Sequence, residues 1–261
     1  MTSFKEQMRV HEASREATSA LEAVSRSAIE RIFSEWESDI HDARSVRWEL
    51  ERVIRNAYRS SANVARNVAS ESSGLPDWSS AEVFNSSYLQ SLILDVRRNL
   101  RDYKSGNLSR EGAVSRIQHS AGVAAQRGYT DQTIASYTEL EDFGLELRKY
   151  WVANFVNNTP CPACTRLHGT AVGLHEMFRT ETGEPGVYRD LIGPPRHPNC
   201  KCRLYIFVVS LENAFESPNF EKPQEAPQMM STDDVKKMPL SIFGAVRASL
   251  SAILSFLRKG R

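Results

Sequence analysis

Four cysteines, all inside a stretch of about forty residues, narrow what this chain can fold into more than any other feature of it. They read Cys161-Pro-Ala-Cys164 and, beyond a loop, His197-Pro-Asn-Cys200-Lys-Cys202. A Cys-x-x-Cys turn sets two thiolates on one ion with little strain, and Cys200 and Cys202, two apart at the mouth of a strand, project to the same side of it. Four such thiolates close a tetrahedral zinc shell. His197 either replaces one cysteine or hydrogen-bonds a thiolate from outside the shell, and the sequence admits both. In either case no position is left for a substrate water. The zinc is therefore expected to be structural, contributing on the order of 10 kcal/mol to a domain too small to fold comfortably alone.

Two disulfides are the competing reading of four cysteines. The sequence begins Met-Thr-Ser-Phe-Lys-Glu-Gln, without the basic flank and apolar core of a secretory signal, which points to a reducing cytosol where thiolates favour metal. Lys and Arg number 33 against 32 Asp and Glu, a net charge of +1, so no global basic field advertises nucleic acid and no acidic excess points to disorder. Any electrostatic function has to be local. A chain of 261 residues that is 41% hydrophobic can hold one large domain or two small ones.

From Thr2 to Ser72 there is neither proline nor glycine, and Leu21, Val24, Ala28, Ile32, Phe33, Trp36 and Ile40 recur at helical spacing, predicting one very long helix or two nearly collinear ones. Gly74-Leu75-Pro76 ends that segment. Ser79 or Ser80 can cap a following helix striped by Phe84, Tyr88, Leu92, Val96 and Leu100 and closed at Gly106. Ser109 starts a third helix that stops at Gly128, and Thr130 starts a fourth through Ile134, Tyr137 and Leu140. Beyond Gly144 the pattern changes to two aromatic, β-branched runs of strand length, Lys149 to Ala153 and Arg203 to Val209, with the cysteines between them. Residues 217–230 carry three prolines and read as a linker, and Leu240 to Leu257 returns to helix-like apolarity.

Two amphipathic features stand apart. At about 100° per residue, Arg44, Arg52, Arg55, Arg59 and Arg66 share one sector of a helix with Trp48 and Ala62, opposite Leu50, Val53, Ile54, Ala57, Val64 and Val68. This stripe is either a solvated face or a surface contacting phosphates or a protein partner. The last segment sets Ile242, Phe243, Val246, Leu250, Ile253, Leu254 and Leu257 against Arg247, Ser251, Ser255 and Arg258. It is long enough to span a membrane, but the arginine and serines argue for an amphipathic helix that docks on protein, so no membrane partner is expected.

At its cysteines the chain resembles the Mu F-like minor capsid or head morphogenesis proteins of tailed phages. The resemblance runs from the aromatic strand with Trp151 through Cys161-Pro-Ala-Cys164 and Leu167-His-Gly169 to Pro194-Pro-Arg-His-Pro-Asn-Cys-Lys-Cys202, where Lys201 stands in the usual arginine place. It covers residues 149–209, and the final nine-residue motif is the specific part. The resemblance implies a virion protein that enters the prohead in few copies near the portal vertex and helps assemble or stabilise the DNA-filled head. Its implied partners are portal and capsid proteins, with DNA as a further candidate and no small-molecule substrate.

Pro160-Cys-Pro-Ala-Cys164 also spells half of a zinc nucleobase deaminase site, but that chemistry needs a His or Cys two residues before a proton-shuttling Glu, upstream of the pair, and none occurs. His168 and His175 fall on a solvated loop in this reading. The expected architecture is α+β: a long helical N-terminal region (1–145), a small zinc-stabilised α+β module (146–211), a linker (212–231) and a C-terminal amphipathic helix (232–261). The expected role is structural and not enzymatic. A zinc module that binds nucleic acid is the alternative, and a zinc hydrolase the more distant one.

Overall fold

The protein is described by a computed structural model covering residues 4–38, 40–73, 86–142, 144–155, 160–179, 191–195 and 200–209. The expected linker and C-terminal helix lie outside these residues, as do His197 and the Ser79 or Ser80 cap.

The proline-free N-terminal run forms two helices, α1 (Phe4–Glu37) and α2 (Ala43–Ser73). They are not collinear. Ala17 and Leu21 at the middle of α1 meet Val64, Ala65 and Val68 toward the end of α2, while Ile32 and Phe33 near the end of α1 share a core with Val46 and Leu50 near the start of α2, so the two fold back as an antiparallel hairpin. Polar side chains make the turn without glycine or proline. Asp42 Oδ1 accepts from Ser45 N–H at 2.7 Å and caps α2, and these hydrogen bonds hold its carboxyl below the usual carboxylate range. His41 Nε2 lies 3.2 Å from Glu35 Oε2 on α1 and 3.9 Å from Glu49 Oε1 on α2. Ile40, expected on the apolar stripe, is exposed in this turn.

Helix α3 (Ser86–Lys104) buries Leu89, Leu92, Ile93, Val96 and Leu100. It ends at Gly106, whose φ of 76° lets the N–H of Asn107 reach the carbonyl of Asp102. The next helix, α4 (Arg110–Asp142), corrects the sequence expectation, because it runs unbroken through Gly128 where a stop was predicted. The glycine serves helix crossing instead of termination. A Cβ built there would lie 2.2 Å from the carbonyl oxygen of Tyr58 on α2, a separation no side chain tolerates. Ala121, Ala124 and Ala125 precede Gly128 on the buried side of α4, facing Ala57 and Tyr58 of α2 in one core. Small residues thus allow α2 and α4 to approach backbone to backbone.

Strand β1 (Glu146–Val152) follows, then the short helix α5 (Pro162–Leu167), β2 (Ala171–Gly173) and β3 (Arg203–Val209). The antiparallel sheet has the order β2-β1-β3, with Tyr150 opposite Ala171 on one side and Tyr205 on the other. β2 was not anticipated. Every residue of β3 is buried, because Leu204, Ile206 and Val208 face the cysteine core while Tyr205 and Phe207 pack with Tyr150 and Met8 of α1. The cysteine core also takes in Ala69 of α2 and Tyr137 and Leu140 of α4, so sheet and helices share it.

β3 lies at the sheet edge, and its outward backbone groups would be stranded in a buried position. Helix side chains meet them. Gln7 acts as one peptide unit of a missing strand, its Nε2 donating to Val208 O at 3.0 Å and its Oε1 accepting from Val208 N–H at 2.8 Å. One turn on, His11 Nε2 donates to Ile206 O at 2.8 Å, and its ring stacks on Tyr205 with centroids 4.5 Å apart. Gln126 Nε2 on α4 donates to Cys202 O at 2.6 Å.

Candidate metal centre

Helix α5 begins because Cys161 has an extended backbone, Pro162 is pre-set for a first helical turn, and Cys161 Sγ accepts from Cys164 N–H at 3.4 Å. That turn aims Cys164 inward, where it meets the residues leading into β3. The sulfurs of Cys164, Cys200 and Cys202 all lie within 4.8 Å of one another, with Cys164 and Cys200 3.9 Å apart. The three residues are 1%, 3% and 2% exposed. Cys161 does not join this mutual set and remains half buried at the head of α5, against the same core. Of the five ligands expected from the sequence, three converge, one stands a helical turn away, and His197 lies outside the described residues.

Three sulfurs held this close cannot ionise side by side unaided. The Cys164 thiol is pushed far above its ordinary range by hydrogen bonding with Cys200 and Cys202 and then by burial. The Cys202 thiol gains some acidity from its bond with Cys164, but the bond with Cys200 and burial prevail and push it up to about 12. A divalent cation reverses this balance, since it stabilises each thiolate that the neighbours otherwise disfavour. Trp151 of β1 fits that state. Its indole N–H is buried without a conventional hydrogen-bond acceptor and lies where it favours an ionised Cys202. A metal-bound thiolate at Cys202 accepts this N–H better than a neutral thiol does. The donor set and this orphaned N–H together fit a soft-ligand metal site.

The surroundings grip the strand entrance from both long partner helices. Glu22 of α1, nearly buried, places Oε2 2.7 Å from Lys201 Nζ and Oε1 3.7 Å from Arg203 Nη2, on either side of Cys202. Thr130 of α4 donates to Pro194 O at 2.9 Å. Lys149 of β1 is fully buried on the same face of the sheet as Trp151, its ammonium donating to Ile192 O at 2.9 Å, and burial pulls its pKa down to about 8 against the pull of Glu176. A polar cavity of about 180 Å³ lined by Arg26, His119, Gln126 and Lys201 reaches Cys200.

His168 corrects another expectation. It ends α5, accepts at Nδ1 from Ala153 N–H at 3.1 Å and stands edge-on to Phe155, so it fixes the exit of β1 and is not a free loop residue. His175 is exposed, 2.9 Å from Glu141 Oε2. None of Gln7, Glu22, Gln126 or Trp151 is identifiable by spacing as a partner of the cysteine strand, because each acts through a contact made only when distant segments meet.

The arginine stripe is placed on α2 but is not uniform. Arg44 and Arg59 are exposed, Arg52 and Arg55 half buried, and Ala62, expected to share the open sector, is fully buried. Arg66 is half buried, with Nε and Nη2 enclosed. The guanidinium of Arg52 sits 4.5 Å over the ring of Trp48. Among the described residues no helix is long and apolar enough to cross a membrane. Compared with protein-family models, with curated proteins and with solved structures, the chain matches none.

Proposed function

We propose that this protein is a non-catalytic structural component of a tailed-phage or prophage head, a minor capsid or head morphogenesis protein at the portal vertex whose sheet-bearing part is fixed by zinc. The observation that carries the reading is the meeting of three buried sulfurs, from α5 and from the entrance of β3, on the segment that includes the Pro194 to Cys202 motif. Soft thiolate donors select zinc among the common divalent ions, and Cys161 and His197 are the two candidates for the fourth donor. A fully ligated ion of this kind links backbone segments and offers no water to a substrate. Portal and capsid proteins are then its partners, with assembly in the host cytoplasm and residence in the virion.

Mass spectrometry of purified particles induced from a lysogen carrying this gene tests the assignment. The expected result is this chain in the head fraction at low copy, together with one zinc per purified chain by elemental analysis. Heads that lack the chain at every stage of assembly overturn the assembly role, and a metal-free reduced protein overturns the zinc.

A further inference from the structure

A second charged constellation lies far from the cysteines, in the groove between α2 and α3. Glu51 of α2 is nearly buried and faces three guanidiniums at once. Arg97 of α3 binds it through two nitrogens at 2.7 and 3.2 Å, while Arg47 and Arg55 of α2 stand 3.8 and 4.0 Å away. One carboxylate cannot neutralise three cations, so the groove keeps positive charge although the whole chain is nearly balanced. Arg44, one turn before Arg47 and Trp48, and Arg101, one turn after Arg97, extend it, and both are exposed. The acids nearby are Asp42 beside Arg44, Glu49 beside Arg52 and His41, and Asp95 paired with Arg98, and the arginines of the face still outnumber them. Within this field stands Trp48, 58% exposed and backed by the Arg52 guanidinium.

The exposed indole offers an aromatic surface for stacking, and the surrounding cations favour an anionic partner. From Arg44 to Arg55 the helix rises about 16 Å, the reach of a few nucleotides. We propose that this face binds single-stranded nucleic acid, with phosphates on Arg44, Arg47 and Arg55 and an unpaired base stacked on Trp48. The site goes beyond the head-assembly reading and does not depend on it, since it is measured on the isolated protein.

The test titrates full-length, metal-loaded protein into labelled oligo(dT) of about twenty nucleotides, with a duplex of equal length and heparin as comparators. Fluorescence anisotropy is followed between about 50 and 200 mM salt. Binding to the single strand should weaken steeply with salt. The triple variant Arg44→Gln, Arg47→Gln, Arg55→Gln should lose at least about tenfold in affinity and shed about two from the salt slope. It leaves Arg97 on Glu51, so its melting curve should match the wild type. Trp48→Ala should lose about fivefold or more on the single strand and little on the duplex. Absence of binding at about 50 mM salt, or a folded triple variant with wild-type affinity and slope, overturns the proposal. Preference for the duplex, or heparin competing equally while Trp48→Ala has no effect, overturns the single-strand assignment.

Discussion

The helical hairpin with α4 and the small sheet are held together by opposite means. Along α2 and α4 the contact is made by removing side chain, with Gly128 and the alanines letting one backbone lie against another. Each helix satisfies its own peptide groups, so packing alone suffices. The sheet has three strands, one of only three residues, and a buried open edge. It is completed from outside, by sulfur ligands at the entrance of β3 and by Gln7, His11 and Gln126 along its rim. A region too small for its own core borrows its last interactions from neighbouring helices and, on the proposed reading, from a metal.

The contrast breaks most visibly at the sulfurs. Stripping the metal with a chelator, or replacing Cys164→Ser, should withdraw on the order of 10 kcal/mol from the sheet. Near-ultraviolet dichroism and Trp151 emission should change while most far-ultraviolet helical signal remains. An unchanged Trp151 environment after chelation would remove metal from the comparison.

Acid probes the rim. Burial, opposed by the bond to Ile206, lowers the His11 pKa to about 4 from 6.5, so the folded state holds the ring neutral where the unfolded chain binds a proton. Stability from this group is therefore complete above pH 6.5 and is lost as the pH falls toward 4, by about 3 kcal/mol in total. Because acid also strips thiolate-bound metal, the quantity to measure is the difference between wild type and His11→Gln in urea melts at pH 7 and at about pH 4.5. The two proteins should converge at the lower pH, and a gap that stays constant would sink the attribution to His11.

The helical side is tested by Gly128→Ala, which drives a methyl into the Tyr58 carbonyl. It should cost roughly 1–3 kcal/mol in spite of the better helix former. Denaturant midpoints report it, and a stabilised variant would mean that the two backbones part easily. The smallest effect belongs to Gln7→Ala, about 1–2 kcal/mol for leaving one buried edge peptide unmet. Amide exchange at Val208 should accelerate while Ile117 in α4 stays protected.

Legibility followed the same divide. β3 was readable to the residue because its aromatic and β-branched run is continuous, and the cysteine spacing brought three of its four sulfurs together. The turn after α1 was hidden because Asp42 and His41 make it with side-chain bonds that look like ordinary helix-surface residues. Gly128 was misread because a glycine that stops a helix and one that lets a neighbour approach are spelled alike. The rim residues carried no local signal, since Gln7 and His11 are polar positions in a helix until β3 arrives.

That arrival is late. Gln7 and Val208 are 201 positions apart, and a ribosome adding roughly 5–20 residues per second separates their synthesis by about 10–40 s. During that interval the amide of Gln7 and the imidazole of His11 face water, a polar slot in a helix pair that is otherwise ready to collapse. The nascent chain thus keeps a place vacant for β3 until translation supplies it.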